Sequence, residues 1–362
     1  MFGASFGHFG IIYALLALSF LIFFHEFGHF IAARIFKVKV EVFSIGFGKK
    51  ILTKKIGDTI YCLSLIPLGG YVQMKGQNDI DPLEKSDDEN SYNKKAPWKR
   101  IIILFAGPFA NFVLAFFLYA CIGNLGVREL APQIGDFSNN SIAQNAGLQI
   151  NDTIKEINGV NINIWDDVKK SIQSSAGEMD ILVKRSDKLI HVNLTAQIGD
   201  NKNIFGETVQ EKLIGVSPSY VVFTMYYRGF ESIIYAGQKV IQNSLLIFQT
   251  LKKLVIDRII SPKELGGIIA IVDITSDAAK LGLVSFLMLT ALISVNLGVL
   301  NLLPIPALDG GHIMFNIYEL IFRRAPNEKV FYYMTVAGWL LLMLLVAFTI
   351  YNDIARIVTQ KI

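Results

Sequence analysis

Long stretches of apolar residues that carry no charged side chain dominate the hydropathy pattern of the chain. The first begins near the start and continues to about residue 36, and the other three are centred on 101–127, 281–308 and 330–350. Each is longer than the roughly 18 to 20 residues that a helix needs to cross a bilayer. The pattern therefore predicts a polytopic α-helical membrane protein, and we place its four transmembrane helices at 1–36, 100–126, 281–308 and 330–351.

Composition supports this fold class and excludes others. Of 362 residues, 52% are hydrophobic and 18% charged, and the mean hydropathy is +0.44. A disordered chain or a simple soluble globule is not expected with such an apolar excess. The formal net charge of only +4 gives no indication of nucleic-acid binding, and we expect membrane lipid as a partner instead.

The distribution of Lys and Arg predicts the orientation of the spans. Residues 1–33 contain no Lys or Arg, whereas 13 lie between Arg34 and Arg100, and the 309–329 link contains three more. Cationic residues favour the cytoplasmic side of a membrane. We therefore expect both links to be cytoplasmic. Both termini and the long region between the second and third spans should lie on the other side.

The first cytoplasmic link has a β pattern. Polar and apolar residues alternate over 37–43, the stretch 59–65 has strand composition, and 71–74 is a further short candidate. We interpret 37–75 as a small membrane-associated β region. A polar, acidic tether is expected at 76–99.

The sequence of the external region indicates that it has two parts. Residues 127–219 have the pattern of a compact α/β domain, with an Asn158-Gly159 hairpin turn, a helix near 164–174 and a closing hairpin. Residues 220–280 are apolar with regularly spaced charges. This pattern favours one or two amphipathic helices on the membrane surface, and a fifth span is the alternative.

The sequence His25-Glu26-Phe27-Gly28-His29 is an H-E-x-x-H motif inside the first span. In a helix, residues four apart lie on one face, so His25 and His29 can bind one metal ion, while Glu26 is suited to handle a water molecule. Ionisable residues inside a span are costly, about 2.5–3.5 kcal/mol for Asp on an insertion scale. Three of them in five positions indicate a metal site rather than a chance match.

A catalytic zinc site needs a third protein ligand and one open position. The best candidate is Asp309, which follows the third span directly. Pro304 and Pro306 interrupt the helix there and leave backbone carbonyls without partners. The predicted topology brings both motifs to the cytoplasmic side. A helix-capping role for Asp309 and a ligand role for His312 are the alternatives.

These motifs together resemble the site-2 protease family, in particular the bacterial RseP-type intramembrane zinc metalloproteases. The resemblance covers almost the whole chain. Besides H-E-x-x-H it includes three further matches, which are the N-x-x-P-x-P-x-L-D-G stretch at 301–310, the A-G-P-x-x-N stretch at 106–111 and the G-F-G stretch at 46–48. The 127–219 domain resembles a PDZ domain.

The resemblance implies specific roles for these residues. His25, His29 and Asp309 would bind Zn²⁺, Glu26 would be the catalytic residue, and Asn301 would handle substrate. We also expect substrate contacts at the remaining motif positions, namely Gly46, Phe47, Gly48, Pro304 and Pro306. The implied function is regulated intramembrane proteolysis of single-span membrane proteins, such as anti-sigma factors or remnant signal peptides, in the bacterial cytoplasmic membrane.

The chain departs from the family pattern in two places. It has room for one PDZ-like domain where other members carry two, and Gly266-Gly267 stands where relatives often have Gly-Pro. The single domain could bind a peptide ligand, exclude bulky substrates or act as a spacer, and the sequence does not choose among these roles.

Two functions of other classes compete with proteolysis. A metal transporter could use His25, His29 and Asp309 as a transit site, but the chain lacks the repeated halves common in transporters. An inactive scaffold could bind membrane partners through the PDZ-like domain, but it would not need an intact set of ligands. Replacing Glu26 by Gln separates these functions from proteolysis.

Overall fold

A computed structural model describes residues 7–77 and 86–359. The chain divides into two compact units. The first, here called the helical unit, comprises Met1–Asn124 and Arg228–Ile362, and the second, the inserted unit, comprises Leu125–Tyr227. The α-helices, in chain order, are α1 (Gly7–Ile35), α2 (Pro97–Leu125), α3 (Ile142–Asn145), α4 (Trp165–Ser174), α5 (Phe230–Val255), α6 (Ile268–Lys280), α7 (Leu283–Asn301), α8 (Asp309–Phe322) and α9 (Glu328–Thr359).

The strands are shorter and more numerous. In chain order they are β1 (Val40–Ile56), β2 (Thr59–Met74), β3 (Val127–Leu130), β4 (Ile134–Phe137), β5 (Thr153–Ile157), β6 (Val160–Asn161), β7 (Glu178–Arg185), β8 (Lys188–Thr195), β9 (Gln197–Lys202), β10 (Thr208–Leu213), β11 (Val216–Pro218) and β12 (Val222–Met225).

Four helices within the described residues are long and apolar enough to cross a membrane. They are Ile12–Ile35, Pro97–Leu125, Leu283–Asn301 and Glu328–Thr359, which correspond to α1, α2, α7 and α9. The predicted number of spans is therefore confirmed as far as helix length and composition can show it. Helix α5 is not among them, because charged residues such as Lys239 interrupt its apolar positions.

Helix α5 is a single amphipathic helix. Its Asn243 amide donates a hydrogen bond of 2.7 Å to the Tyr119 hydroxyl on α2, so one face is fixed to the helical unit. Large apolar side chains on other positions, including Phe230, Ile241 and Leu245, remain more than half exposed. An exposed apolar row on a fixed helix is typical of helices that lie at a membrane surface.

The helix formed by the third apolar stretch is shorter than the stretch itself. Helix α7 stops at Asn301, whereas the apolar run continues to residue 308. The residues between form a compact turn, because Pro304 and Pro306 cannot continue the helix. The 309–329 link, expected as a connecting segment, contains the whole of α8.

Asp353 fixes the start of α6 to α9. Its buried carboxylate accepts hydrogen bonds from the backbone N–H groups of Gly267 (3.0 Å) and Ala270 (3.1 Å). A proline at position 267 would have no N–H to donate. Gly267, where the chain departs from the family pattern, therefore provides a backbone N–H that donates to Asp353.

The membrane-associated β region is built from two long, bent strands rather than three short ones. Residues 42–45 of β1 lie beside two different segments of β2, with Phe43 paired to both Tyr61 and Val72. Gly46 and Gly48 have positive φ (+88° and +83°), which allows β1 to bend there and continue to Ile56. The continuation after the bend was missed because its lysines and lack of alternation hide the strand.

Part of the predicted tether is folded onto this β region. The backbone N–H of Tyr92 donates to Lys75 O at 2.8 Å, and the Tyr92 side chain is buried. A 2.7 Å contact between Lys75 Nζ and Asp88 lowers the pKa of the Asp88 carboxyl and raises that of Lys75. Residues 78–85 of the tether lie outside the described residues.

The inserted unit has its own hydrophobic core. Strands β6, β5, β7 and β8 form one antiparallel sheet, and α4 packs Trp165, Val168 and Ile172 into the core beneath it. The Asn158-Gly159 turn joins β5 to β6, and β7 and β8 form the predicted closing hairpin. The unit is thus a small α/β module. Its identity as a PDZ domain stays a prediction.

A buried ion pair stabilises this module. Asp152 is fully buried, and its carboxylate accepts two hydrogen bonds of 2.7 Å from Arg185 and one from the Gln149 backbone. Removing Asp152 takes away the acceptor of three hydrogen bonds, whereas the Arg185 side chain, which is 25% exposed, keeps part of its hydration.

We expect Asp152→Ala to destabilise the inserted unit by about 2 kcal/mol, because hydrogen bonds to a charged acceptor are lost. Hydrogen–deuterium exchange of the full-length protein should show faster exchange in peptides that cover β5 and β7. Lys184→Ala is the matched control, because it removes a pair to Asp187 that is exposed on the surface. Equal protection in the two variants would contradict the assigned role of Asp152.

Candidate metal centre

The two imidazoles of the H-E-x-x-H motif lie one above the other on α1. His25 and His29 are separated by one helical turn, and their ring centroids are 4.8 Å apart. Their Nε2 atoms approach each other to 3.2 Å. The helical periodicity inferred from the sequence therefore produces the expected common face.

Asp309 completes a cluster of three donor atoms. As the first residue of α8, it places its Oδ2 atom 3.2 Å from His25 Nε2 and 3.4 Å from His29 Nε2. Only 8–17% of each of the three side chains is exposed. The structure thus brings together the three residues that sequence reasoning singled out as ligands, although Asp309 is distant from the histidines in the chain.

The spacing of these donor atoms fits a tetrahedral metal ion. In a tetrahedron the ligand–ligand edge is about 1.6 times the metal–ligand distance, so Zn–N and Zn–O bonds of about 2.0–2.1 Å require edges of about 3.3 Å. The three observed distances of 3.2, 3.2 and 3.4 Å match one face of such a tetrahedron. Three converging lone pairs in a buried place are costly unless a cation or proton lies between them.

Helix α2 contacts both imidazoles at Nδ1, the ring nitrogen that does not belong to the donor cluster. His29 Nδ1 is 2.8 Å from the backbone oxygen of Ile103, which accepts its hydrogen and leaves the Nε2 lone pair free for a metal. Gly107 lies one turn further along α2. A Cβ atom there would come within 2.2 Å of His29 Nε2. The imidazole therefore occupies the space that any other residue at 107 would fill.

Close approach of α1 to α2 depends on a second glycine. A Cβ atom on Gly28 would lie 2.2 Å from the backbone oxygen of Ala106. The two helix backbones are therefore in direct contact beside His29. Small residues at such contacts are typical of packed membrane helices.

The turn before Asp309 is packed against the start of α8. A Cβ atom on Gly310 would meet Leu303 O at 2.3 Å, and one on Gly311 would meet Ile305 O at 2.2 Å. The Gly pair lets residues 302–308 fold back over α8 and defines where Asp309 begins the helix. This close packing explains why both residues after Asp309 in the L-D-G-G sequence are glycines.

Glu26 lies between the donor cluster and the β region. Its side chain is half-buried, and a Cβ atom on Gly70 of β2 would be 3.5 Å from Glu26 Cγ. The segment Gly70–Met74 pairs on one side with residues 40–45 of β1. It is the edge of this part of the sheet, and it starts beside Glu26.

The G-F-G residues stand at the bend of β1, not among the donor atoms. The Phe47 ring is 44% exposed and stacks on Tyr71 of the edge segment, with ring centroids 6.2 Å apart. Gly69 of β2 lies under the same ring, because a Cβ atom there would be 2.0 Å from it. The bend therefore lies next to the beginning of the edge segment.

The other predicted positions lie along the 301–312 stretch. Asn301 is the last residue of α7, Pro304 is exposed in the turn, and Pro306 is half-buried. His312 lies apart from the donor cluster, since its ring contacts Phe331 with ring centroids 5.9 Å apart. Its position on α8 fits a packing role, as the sequence favoured over a ligand role.

Sequence reasoning gave no individual roles to the residues on α2 that support the imidazoles. Ile103, Gly107 and Asn111 are four residues apart, so they lie on one face of α2. The signal was present in the A-G-P-x-x-N stretch, which contains Gly107 and Asn111. The role of Ile103 involves only its backbone oxygen, so no side-chain pattern could reveal it.

Comparison with known proteins agrees with this geometry. The model of the family described as peptidase family M50 matches residues 13–345. Two similar proteins carry the name "Putative zinc metalloprotease". One, from Campylobacter jejuni, is 50% identical over 96% of this chain and 93% of its own length, and the other, from Helicobacter pylori J99, is 37% identical over 96% and 99%. The regulator of sigma-W protease RasP of Bacillus subtilis is 29% identical over 93% and 96%.

We expect Gly107→Ala to reduce metal binding by tenfold or more, because the added methyl group displaces the His29 imidazole. Elemental analysis of the purified protein after dialysis measures the bound metal. Gly237→Ala is the matched control, since a Cβ atom on Gly237 of α5 meets nothing within 4 Å. Full metal content in Gly107→Ala would contradict this account of the centre.

Proposed function

Because this chain belongs to peptidase family M50, whose model matches most of its length, we propose that it is a zinc metalloprotease that cleaves peptide bonds within the membrane spans of its substrates. The observation that carries the proposal is the donor triangle of His25, His29 and Asp309, together with the four helices among the described residues that are long and apolar enough to cross a membrane. A buried centre on a membrane-spanning helix acts on bonds that are themselves in or near the membrane.

The proposed metal ligands are His25 Nε2, His29 Nε2 and Asp309 Oδ2. Two imidazoles and one carboxylate form a ligand set typical of catalytic zinc, with one position left for water or substrate. When bound, zinc polarises the scissile carbonyl and lowers the pKa of a water molecule towards neutrality. The names of the two similar proteins support zinc over other divalent metals.

Glu26 is the proposed general base and acid. It follows His25 directly in α1, so its carboxylate lies beside the donor triangle and not within it. There it accepts a proton from the attacking water and later donates a proton to the leaving amine nitrogen.

Substrate must be held in an extended form, because the carbonyls of a helix are occupied by internal hydrogen bonds. The edge segment Gly70–Met74 lies next to Glu26 and, among the residues that the structure describes, pairs with β1 on one side only, so an unwound substrate segment binds to its other side by strand addition. We assign Gly46, Phe47 and Gly48 to shaping this edge.

The turn after α7 contributes the opposite wall. Asn301 holds the substrate backbone or the developing oxyanion, as a preorganised amide donor can. We assign the backbone around Pro304 and Pro306, where the helix is interrupted, to further contacts with the substrate.

The proposed substrates are single-span membrane proteins in a bacterial cytoplasmic membrane. The name of the RasP relative, a regulator of sigma-W protease, supports a role of this chain in regulated intramembrane proteolysis, with anti-sigma factors or remnant signal peptides as candidates. In this proposal the inserted unit is an extracytoplasmic PDZ-like domain that binds substrate tails or excludes bulky ones.

Glu26→Gln should abolish cleavage and leave zinc binding intact. Loss of the proton-transfer group costs at least about 10²-fold in rate, whereas the donor triangle is unchanged. The measurement is cleavage of a panel of single-span model substrates by purified protein, with zinc content determined on the same samples. Wild type treated with a chelator is the second inactive control.

The same experiment separates proteolysis from its alternatives. Cleavage within the span by wild type, absent in both controls, supports the protease. A metal transporter would keep its transport in Glu26→Gln, and a scaffold would keep its partners. Cleavage by Glu26→Gln at the wild-type rate would exclude the proposed role of this residue.

Orientation is tested by cysteine labelling in intact cells. Single cysteines are introduced at Lys94 and Lys170, both on exposed positions, in a chain in which Cys62 and Cys121 are replaced. We expect a membrane-impermeant maleimide to label position 170 in intact cells and position 94 only after permeabilisation, because Lys- and Arg-rich links face the cytoplasm. The reverse result would invert the proposed topology.

A further inference from the structure

Asn111 is a buried polar side chain in the middle of a largely apolar span. It has no exposed surface, and α2 around it is one of the four helices long enough to cross a membrane. A primary amide in such a place is costly unless its hydrogen-bonding groups are used. The described residues offer one side-chain partner, since Asn111 Nδ2 lies 3.2 Å from His25 Nδ1.

The position of the proton on the His25 ring determines whether the oxygen or the nitrogen of the Asn111 amide faces Nδ1. To bind a metal through Nε2, a neutral imidazole must carry its proton on Nδ1. Nδ1 then needs an acceptor, as His29 Nδ1 has in the backbone oxygen of Ile103. The amide nitrogen cannot accept a hydrogen bond, but the amide oxygen can.

The amide oxygen is the atom without a partner. Asn111 Oδ1 is buried and has no hydrogen bond within the described part of the chain. Rotation of the amide by 180° about its last bond moves no other group, but it exchanges Oδ1 and Nδ2 and places Nδ2 in the position without a partner. The oxygen then accepts the Nδ1 hydrogen of His25.

We propose that Asn111 Oδ1 is the positioning group that holds His25 in the metal-binding tautomer. The inference rests on the proposed zinc site. Helix α2 then orients both histidines, His29 through a backbone oxygen and His25 through a side chain two turns away. Hydrogen-bond acceptors behind ligating histidines fix the tautomer and the ring orientation, and their loss weakens metal binding 10- to 100-fold.

The test is zinc affinity, measured by competition with a chromophoric chelator on the purified full-length protein in detergent. Asn111→Leu should weaken zinc binding 10- to 100-fold, because it removes the acceptor and keeps the branched shape of the side chain. Asn111→Asp should restore affinity to near the wild-type value, since a carboxylate also accepts the Nδ1 hydrogen. A merely structural role would not show this rescue.

Ser294→Ala is the matched control. The Ser294 hydroxyl donates to the backbone oxygen of Asn111 at 2.8 Å, so its removal perturbs the same residue without touching the amide. Zinc affinity should be unchanged in this variant. If Asn111→Leu does not fold, Asn111→Gln is the alternative variant. Its longer side chain displaces the amide by one methylene group and so breaks the contact with His25 Nδ1.

The outcomes distinguish this inference from the proposed function. Wild-type affinity in Asn111→Leu or Asn111→Gln would overturn the role of Asn111 and leave the zinc site standing. Equal weakening in Asn111→Leu and Asn111→Asp would overturn it as well. If the wild-type protein itself binds no zinc, the proposed function fails first, and with it the basis of the inference.

Discussion

The direct contact between the backbones of α1 and α2 is the constraint on which the centre depends. Gly28 brings α1 against Ala106, and Gly107 opens the space that the His29 ring fills. Any larger residue at either glycine would separate the helices and move the imidazoles from the groups that orient them. The sheet and α8 then add to this pair, since Glu26 meets the edge of β2 and Asp309 meets the two histidines. Tight helix packing of this kind is driven by van der Waals contact, because lipid provides no hydrophobic force between helices.

Several polar groups within the apolar helices are concentrated around the donor triangle. The donor triangle, the Ile103 carbonyl and the Asn111 amide form one connected group between α1, α2 and α8. Ser294 on α7 adds a hydrogen bond to the backbone at Asn111. Each of these groups would be costly alone in a membrane.

Much of this arrangement could be predicted from the sequence, because the signals are strong and local. Charge-free runs give the spans, and a four-residue spacing puts His25 and His29 on one face. Asp309 could be found because two prolines interrupt a span just before it. The full extent of β1 could not, since it depends on Gly46 and Gly48 turning the strand so that one segment pairs twice. The role of the Ile103 carbonyl could not be predicted either, because every residue type has the same backbone oxygen. The folding of 86–95 onto the β region follows from tertiary contacts of Tyr92, which override a polar composition.

The wide separation of the donors along the chain has a consequence for biogenesis. The two histidines belong to the first span, whereas Asp309 follows the third. During synthesis the histidines enter the membrane long before their third partner has been made. A ribosome-bound chain that has released only α1 and α2 therefore holds at most two of the three proposed metal ligands. The donor triangle is completed only after α7 and the start of α8 have joined the earlier helices, so a truncated or stalled product would lack the proposed metal centre.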